Sequence, residues 1–382
     1  MKIRTITTGI NLSSLKEINK INEAANFNKQ AATAFEDKGY VIQSTRISTN
    51  PWEDYIGRLS EKAIVREMRE VEKTCLNLDV SFFNIGYAST YDKISIIPQI
   101  NKETSIIFCS AKIGDFKTGI NYKNTRAAAK AIRQISEEPE NGYGNFRFCV
   151  WANCQSGIPF FPASFHLEKK PYFAIGLECG DLAMKAFAKS KDLKEAENNL
   201  NEIFENELSK IENIAKEVSH KLKIEYRGID ASLAPSLKKD ESIAFAYEKL
   251  GFGNFGSNGT LTISAIITKV LKNLSAKTCG YSGLMLPVCE DYGLAERANE
   301  ETYTLTNLLL YSAVCGCGLD IVPLPGDIAV ENIEAILLDV ATLAITLNKP
   351  LAARLLPVPG KAAGKKTDFN SPHLIDCKIF KV

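Results

Sequence analysis

Histidine is scarce, with three residues in 382 and none at a spacing that ligates a metal. Net charge is nearly absent as well: forty-six Lys and Arg against forty-five Asp and Glu leave +1. That balance supplies no field to draw in nucleic acid or anionic lipid through counterion release, so a small-molecule ligand is expected, with no nucleic acid or membrane partner. No CxxC pair occurs among the ten cysteines, which are scattered through the chain rather than packed into the framework of a small secreted scaffold. They are expected to be reduced and buried; Cys109 in SIIFCSAKI and Cys149 in FRFCVWANC, each inside an apolar run, read as small hydrophobes. The first residues, MKIRTITTGINL, lack the roughly 7–15-residue apolar core of a secretory signal. The longest uncharged stretch, Thr302 to Leu319, is too polar for a membrane span. A cytoplasmic protein is expected.

What is present is an α/β alternation. KIRTITTGI reads as a strand; Ser14-x-x-Glu17 then forms a capping-box pattern ahead of a helix, and GYVIQSTRIS reads as the next strand. The pattern continues with a helix near Glu61 to Leu76, strands in VSFFNIGYA and ETSIIFCSAKI, a helix near Asn124 to Ile135, and strands in NFRFCVWANC and YFAIGLECG. A charged helical stretch from Asp181 to Leu222, broken near Lys191, carries an apolar stripe from Leu200 to Ile214 that suits either the core or a homodimer contact. Further on come a strand in KIEYRGIDASLAP, helices around Glu241 to Leu250, Thr260 to Leu274 and Val330 to Leu347, and strand-like SGLMLPVC, SAVCGCGLDIV and LAARLLPV. No repeat or low-complexity linker divides the chain, so residues 1–382 are expected to form one domain.

GIDASLAPS, CGYSGLMLPVCEDYGLAERA, SAVCGCGLDIVPLPGD and RLLPVPGKAAG, with GIPFFPASFH and IGLECGDLA upstream, together resemble the prokaryotic family called domain of unknown function 711. The resemblance covers nearly the whole chain. It implies a fold similar to the pyruvate formate-lyase-like glycyl radical enzymes: a ten-stranded α/β barrel with outer helices and an interior hairpin, on which the thiols of YSAVCGCGLDIVPLPGD would lie. It implies no reaction. The chain ends NSPHLIDCKIFKV with no glycine after Gly364, so glycyl radical chemistry is not expected.

Candidate site residues follow from residue type and placement. Cys315 and Cys317 flank Gly316 and precede Gly318, a loop that can approach a ligand closely and lower a thiol's pKa with its amides. Asp320 is close enough in sequence to move protons for them, and Asp230 and Glu290 are acids at strand ends. His166, after an aromatic turn, is the histidine placed nearest a pocket. Arg354 suits an anionic substrate through its bidentate fork. The glycine loop GFGNFG follows a helix rather than a strand, which argues against NAD; Gly256, Ser257 and Thr260 could instead bind an anion at a helix start. If a metal is bound, Cys315, Cys317, Cys279 and Cys289 are its candidate ligands. The functional expectation is a cysteine-dependent enzyme acting on a small anionic metabolite; the alternative is a non-catalytic ligand or metal sensor using the same loop.

Overall fold

The computed structural model describes residues 1–137 and 141–382. Its strands are β1 (Lys2–Ile10), β2 (Thr45–Thr49), β3 (Phe83–Ala88), β4 (Ile107–Asp115), β5 (Gly119–Ile120), β6 (Phe148–Ala152), β7 (Tyr172–Glu178), β8 (Glu225–Asp230), β9 (Gly318–Pro325) and β10 (Leu351–Val358). They form one ten-stranded sheet in the order β8-β7-β1-β2-β3-β4-β6-β10-β9, with β5 beside β4. The run β1-β2-β3-β4-β6 is parallel, as helical crossovers require. β7 and β10 each join that run antiparallel and bring β8 and β9 alongside as parallel partners.

The strand ladders leave β8 and β9 as edges. Between them lies an irregular stretch, residues 277–288, where a strand was expected in SGLMLPVC. It bonds to β8 and its continuation through Cys279 N–H to Ile229 O (2.9 Å) and Leu233 N–H to Gly283 O (3.0 Å), and to β9 through Val288 N–H to Asp320 O (3.1 Å). The edge groups are thus partly satisfied without a regular ladder.

Period-two alternation decides what each face carries. Ile3, Ile47, Ile107, Cys109, Val150 and Ala353 belong to the main core under the helices. Their neighbours Arg4, Arg46, Phe108, Cys149 and Arg354 line a cavity on the opposite side. That side is filled by the β6–β7 connection, where Ile158, Phe160, Ala163 and Phe165 pack with Trp151, Met285 and Cys317. Thr7 Oγ1 donates to Pro159 O (2.8 Å) and Asn84 Nδ2 to Pro162 O (2.7 Å), tying the connection to β1 and β3.

The thiol segment is not a hairpin. Cys315–Cys317 form the corner between the helix Leu305–Ser312 and β9. The corner is tight because Gly316 lies against Gly283, where a β-carbon would sit 2.8 Å from the facing Cα, and Gly318 has φ +98°. The aromatic turn fills the cavity side, and from the cysteine loop Cys317 reaches it.

The charged stretch from Asp181 resolves into two helices, Gly180–Ala188 and Leu193–Leu222. Its stripe of Leu200, Phe204, Leu208 and Ile211 is fully buried within the chain, so it offers no surface to a second copy. The first helix begins at Ile18, without the expected capping box: Glu17 turns back to accept from Ser13 N–H (2.6 Å). Among the described residues no helix is long and apolar enough to cross a membrane.

Candidate active site

The cavity of ≈ 70 Å³ is where charge collects. Arg4 donates to Glu178 (3.1 Å) and Glu290 (2.7 Å). Arg354 donates to Glu290 (2.9 Å) and Asp320 (2.7 Å), so Glu290 is clasped between two guanidiniums. Burial alone would raise the Glu290 pKa, but Arg354, Arg4 and Arg46 outweigh it and hold the acid below the usual carboxylate range. Asp320 goes the other way: burial and the nearby Glu290 raise its pKa despite Arg354. Two carboxylates sharing one arginine are thus pushed apart, one kept ionised and the other favoured as an acid.

Cys317 and Cys149 line the same cavity. Cys315 stands behind Cys317, buried and outside the lining. A hydrogen bond from Cys317, the approach of Lys349 and the Gly318 N–H (3.3 Å to Sγ) hold the Cys315 pKa down to about 6 against the burial that would raise it. The same hydrogen bond, with burial, pushes Cys317 well above the ordinary thiol value. Lys349 reaches this position while capping the end of the helix Leu305–Ser312, donating to the carbonyls of Ser312 (3.0 Å), Ala313 (3.2 Å) and Cys315. The corner therefore holds a thiolate, a cation and a thiol that faces the cavity.

The other wall is aromatic. Phe82, Phe108, Phe146, Phe160 and Phe161 line it, and Arg46 lies 5.0 Å from the ring centroid of Phe82 and 5.2 Å from that of Phe161. His373, from the C-terminal segment, stacks on Phe146 at 5.9 Å. Burial, with Arg4 and Arg46, lowers its pKa against the pull of Glu290.

Of the residues expected in a site, Cys317, Asp320, Glu290 and Arg354 meet here, with Cys315 one layer behind. The others do not line the cavity. Asp230 accepts from Ser232 Oγ (2.6 Å), Tyr281 N–H (2.8 Å) and Ser282 N–H (2.9 Å), pinning residues 277–288 to the end of β8. His166 is fully buried against Tyr172, and burial lowers its pKa. Gly256 and Thr260 bond to one another within the loop before the helix Thr260–Lys272, where Ser257 supplies a carbonyl to Thr260 Oγ1 (2.8 Å). The four thiols named as ligands in the event of a bound metal are not assembled: Cys289 pairs with Cys377 at 3.6 Å, and no group of three or more His, Cys, Asp or Glu fit to hold a metal occurs among the described residues.

Arg4, Arg46 and Lys349 were missed. A basic residue one position from a core isoleucine within a strand, as in KIRTITTGI and STRIST, is the signal that could have found the two arginines. Lys349 carries no such signal, because only folding brings it beneath the corner.

Residues 1–370 match the model of a family described as uncharacterised ACR, DUF711. The chain belongs to this family. Its relatives include UPF0210 proteins of Clostridium botulinum strain Alaska E43, 27% identical over 97% of this chain and 88% of that protein, and of Methanocaldococcus jannaschii, 28% identical over 97% and 88%. A third, from Neisseria meningitidis serogroup B, is 28% identical over 96% of this chain and 87% of its own length. These names state no reaction, so family membership leaves the chemistry to be argued from the site.

Proposed function

We propose that the protein is a thiol-dependent enzyme acting on a small anionic compound, with Cys317 as the attacking group and Cys315 as its proton acceptor. The observation that carries this reading is the geometry of the corner: both thiols reach the Gly318 carbonyl (4.0 Å each), Cys315 Sγ accepts from Gly318 N–H (3.3 Å) beside Lys349, and Cys317 faces a cavity of fixed charges. In the step proposed, the Cys317 sulfur bonds to an electrophilic carbon at one end of a polarised double bond, and its proton passes to the Cys315 sulfur. The π electrons move to the far atom, where the proton on Asp320 is received while Arg354 stabilises the carboxylate left behind. The chemistry is ionic and requires no glycyl radical. In the same reading residues 277–288 complete the sheet into a barrel-like enclosure, which fits the small cavity. An enzyme working as a cytoplasmic homo-oligomer is in keeping with it.

Alkylation kinetics against pH for wild type, Cys315→Ser and Cys317→Ser, with metal analysis of the purified protein, test the reading. The expected result is label at the corner below pH 7, lost in Cys317→Ser and shifted to higher pH in Cys315→Ser. Uniformly slow labelling would sink the attacking thiol. Stoichiometric metal lost on either substitution would favour a metal sensor instead.

A further inference from the structure

We infer that Arg46 is the seat of a monoanionic ligand, a carboxylate of about two to four carbons, whose apolar body lies against Phe108, Phe160 and Phe161. This rests on the reading that the cavity is the working site, and it names what enters.

The first observation is that Arg46 is the cavity arginine without an acid. Arg4 and Arg354 each spend their forks on two carboxylates. Arg46 gives its Nε to Ser44 Oγ (3.0 Å), and among the described residues no carboxylate lies within ion-pair distance of it and its terminal amino groups have no hydrogen-bond partner. Phe82 and Phe161 lie near enough to contact the guanidinium but accept none of its in-plane hydrogen bonds. The guanidinium is half-buried, with its fork open to the cavity: burial, Arg4 and Arg354 push its pKa down to about 9, against the pull of Glu290, and it is still charged at neutral pH. An oxyanion on the open fork would supply the missing partner through two parallel bonds.

Charge and size then narrow the anion. With Asp320 holding its proton, the three guanidiniums face two ionised acids, Glu290 in the lining and Glu178 on the outer side of Arg4, an excess of one positive charge, which a monoanion neutralises. A phosphate near neutral pH carries more than one negative charge and would turn oxygens toward phenyl rings that cannot donate to them. At about 10–15 Å³ for each water-sized group, ≈ 70 Å³ admits roughly five to seven, which fits a short carboxylate and excludes a nucleotide.

Calorimetric titration of the full chain with acetate, butyrate, hexanoate and inorganic phosphate tests the assignment, using wild type, Arg46→Gln, Arg46→Lys and Cys317→Ser. Saturable binding of acetate or butyrate is expected, at least about tenfold tighter than phosphate or hexanoate. Arg46→Gln should weaken it at least about tenfold, and Arg46→Lys should retain part of it, because the charge stays and the fork is lost. Circular dichroism checks that each variant is folded, and the wild-type titration stands even where a variant is not. No saturable uptake by wild type, equal affinity for phosphate, or unchanged binding in a folded Arg46→Gln would each overturn the proposal. Binding that survives in Cys317→Ser while the thiols prove unreactive would overturn the enzymatic reading and keep the seat. Reactive thiols without Arg46-dependent binding would do the reverse.

Discussion

Two pairs of cysteines lie within reach of one another in this protein, and they have opposite chemistry. Cys289 and Cys377 are 3.6 Å apart and fully buried, and burial together with the neighbouring thiol pushes the Cys289 pKa well above the ordinary value. Cys315 and Cys317 are also buried, yet Cys315 is held down to about 6. Burial is common to both pairs and cannot explain the difference. What differs is the company: at Cys315 a hydrogen bond from Cys317, Lys349 and a backbone N–H draw the pKa down, whereas at Cys289 the Glu290 and Asp376 charges push the thiol further up. Reactivity here is set by donors around the sulfur and not by the spacing of the cysteines.

Removing the donors should break that contrast most completely. At pH 7 a thiol of pKa about 6 is about nine-tenths ionised, whereas one at 9 is about one per cent ionised. Lys349→Met should therefore lower the neutral-pH ultraviolet thiolate band, measured as the difference from Cys315→Ser, without reducing it to that of an unperturbed thiol, because the Cys317 hydrogen bond and the Gly318 N–H remain, while Lys349→Arg keeps most of it. An unchanged band in Lys349→Met would show that the lysine is not the cause.

Labelling should contrast less than ionisation does. A thiolate made more abundant by a lower pKa is also a weaker nucleophile, by about 16- to 32-fold over three pKa units, so a corner that attacks through one thiolate shared by the two sulfurs, with a pKa of about 6, has a net chemical advantage of about three- to sixfold over a thiol at 9. Because Cys289 is raised above 9, its own chemistry widens the ratio of corner to Cys289–Cys377 labelling by iodoacetamide at pH 7, and access through the cavity adds to it. Blocking that cavity with Ala163→Phe should return the ratio toward the chemical value. Equal labelling of both pairs in native protein would erase the contrast.

The legibility of the sequence followed the same division between spacing and company. Period-two runs showed KIRTITTGI, ETSIIFCSAKI, NFRFCVWANC and LAARLLPV as strands, because alternation is a local property. SGLMLPVC was misread as a strand, since its extended backbone is held by single bonds to two different neighbours and not by a ladder. Cys315, Cys317, Asp320, Glu290 and Arg354 were legible as chemistry-bearing residues near glycine turns and strand ends. Asp230 carried the same signal but spends its oxygens on pinning a turn. Arg4, Arg46 and Lys349 come from chain positions far from the thiols, and nothing local says they share a space with them.

The pH dependence of stability should separate the pairs with opposite signs. The folded Cys315 value lies below its unfolded value of 9.0, so its contribution is complete above pH 9 and is lost as pH falls through about 6. Cys289 is raised, so its contribution is present below pH 9 and is lost as pH climbs toward the folded value. In urea unfolding, Cys315→Ser should flatten the rise in stability between pH 6 and 9, and Cys289→Ala should flatten the alkaline decline. A steepened rise in Cys315→Ser would contradict the assignment of the thiolate.

The smallest effect belongs to Cys377→Ala. It removes one buried sulfur from a site with little room to collapse, at a cost of about 1 kcal/mol, comparable to deleting one buried methyl group. Relieved of its neighbour, Cys289 should drop toward the ordinary thiol value without reaching it, because burial remains the larger cause. The corner should not notice: its thiolate band and labelling rate should match wild type. Cys377 nevertheless sits on the same C-terminal segment as His373, which stacks on the cavity wall, and Ile375 N–H donates to Cys289 O (2.7 Å) next to Glu290. If Cys377→Ala changed corner labelling, the two pairs would be coupled through that segment and Glu290, and their chemistry would no longer be independent.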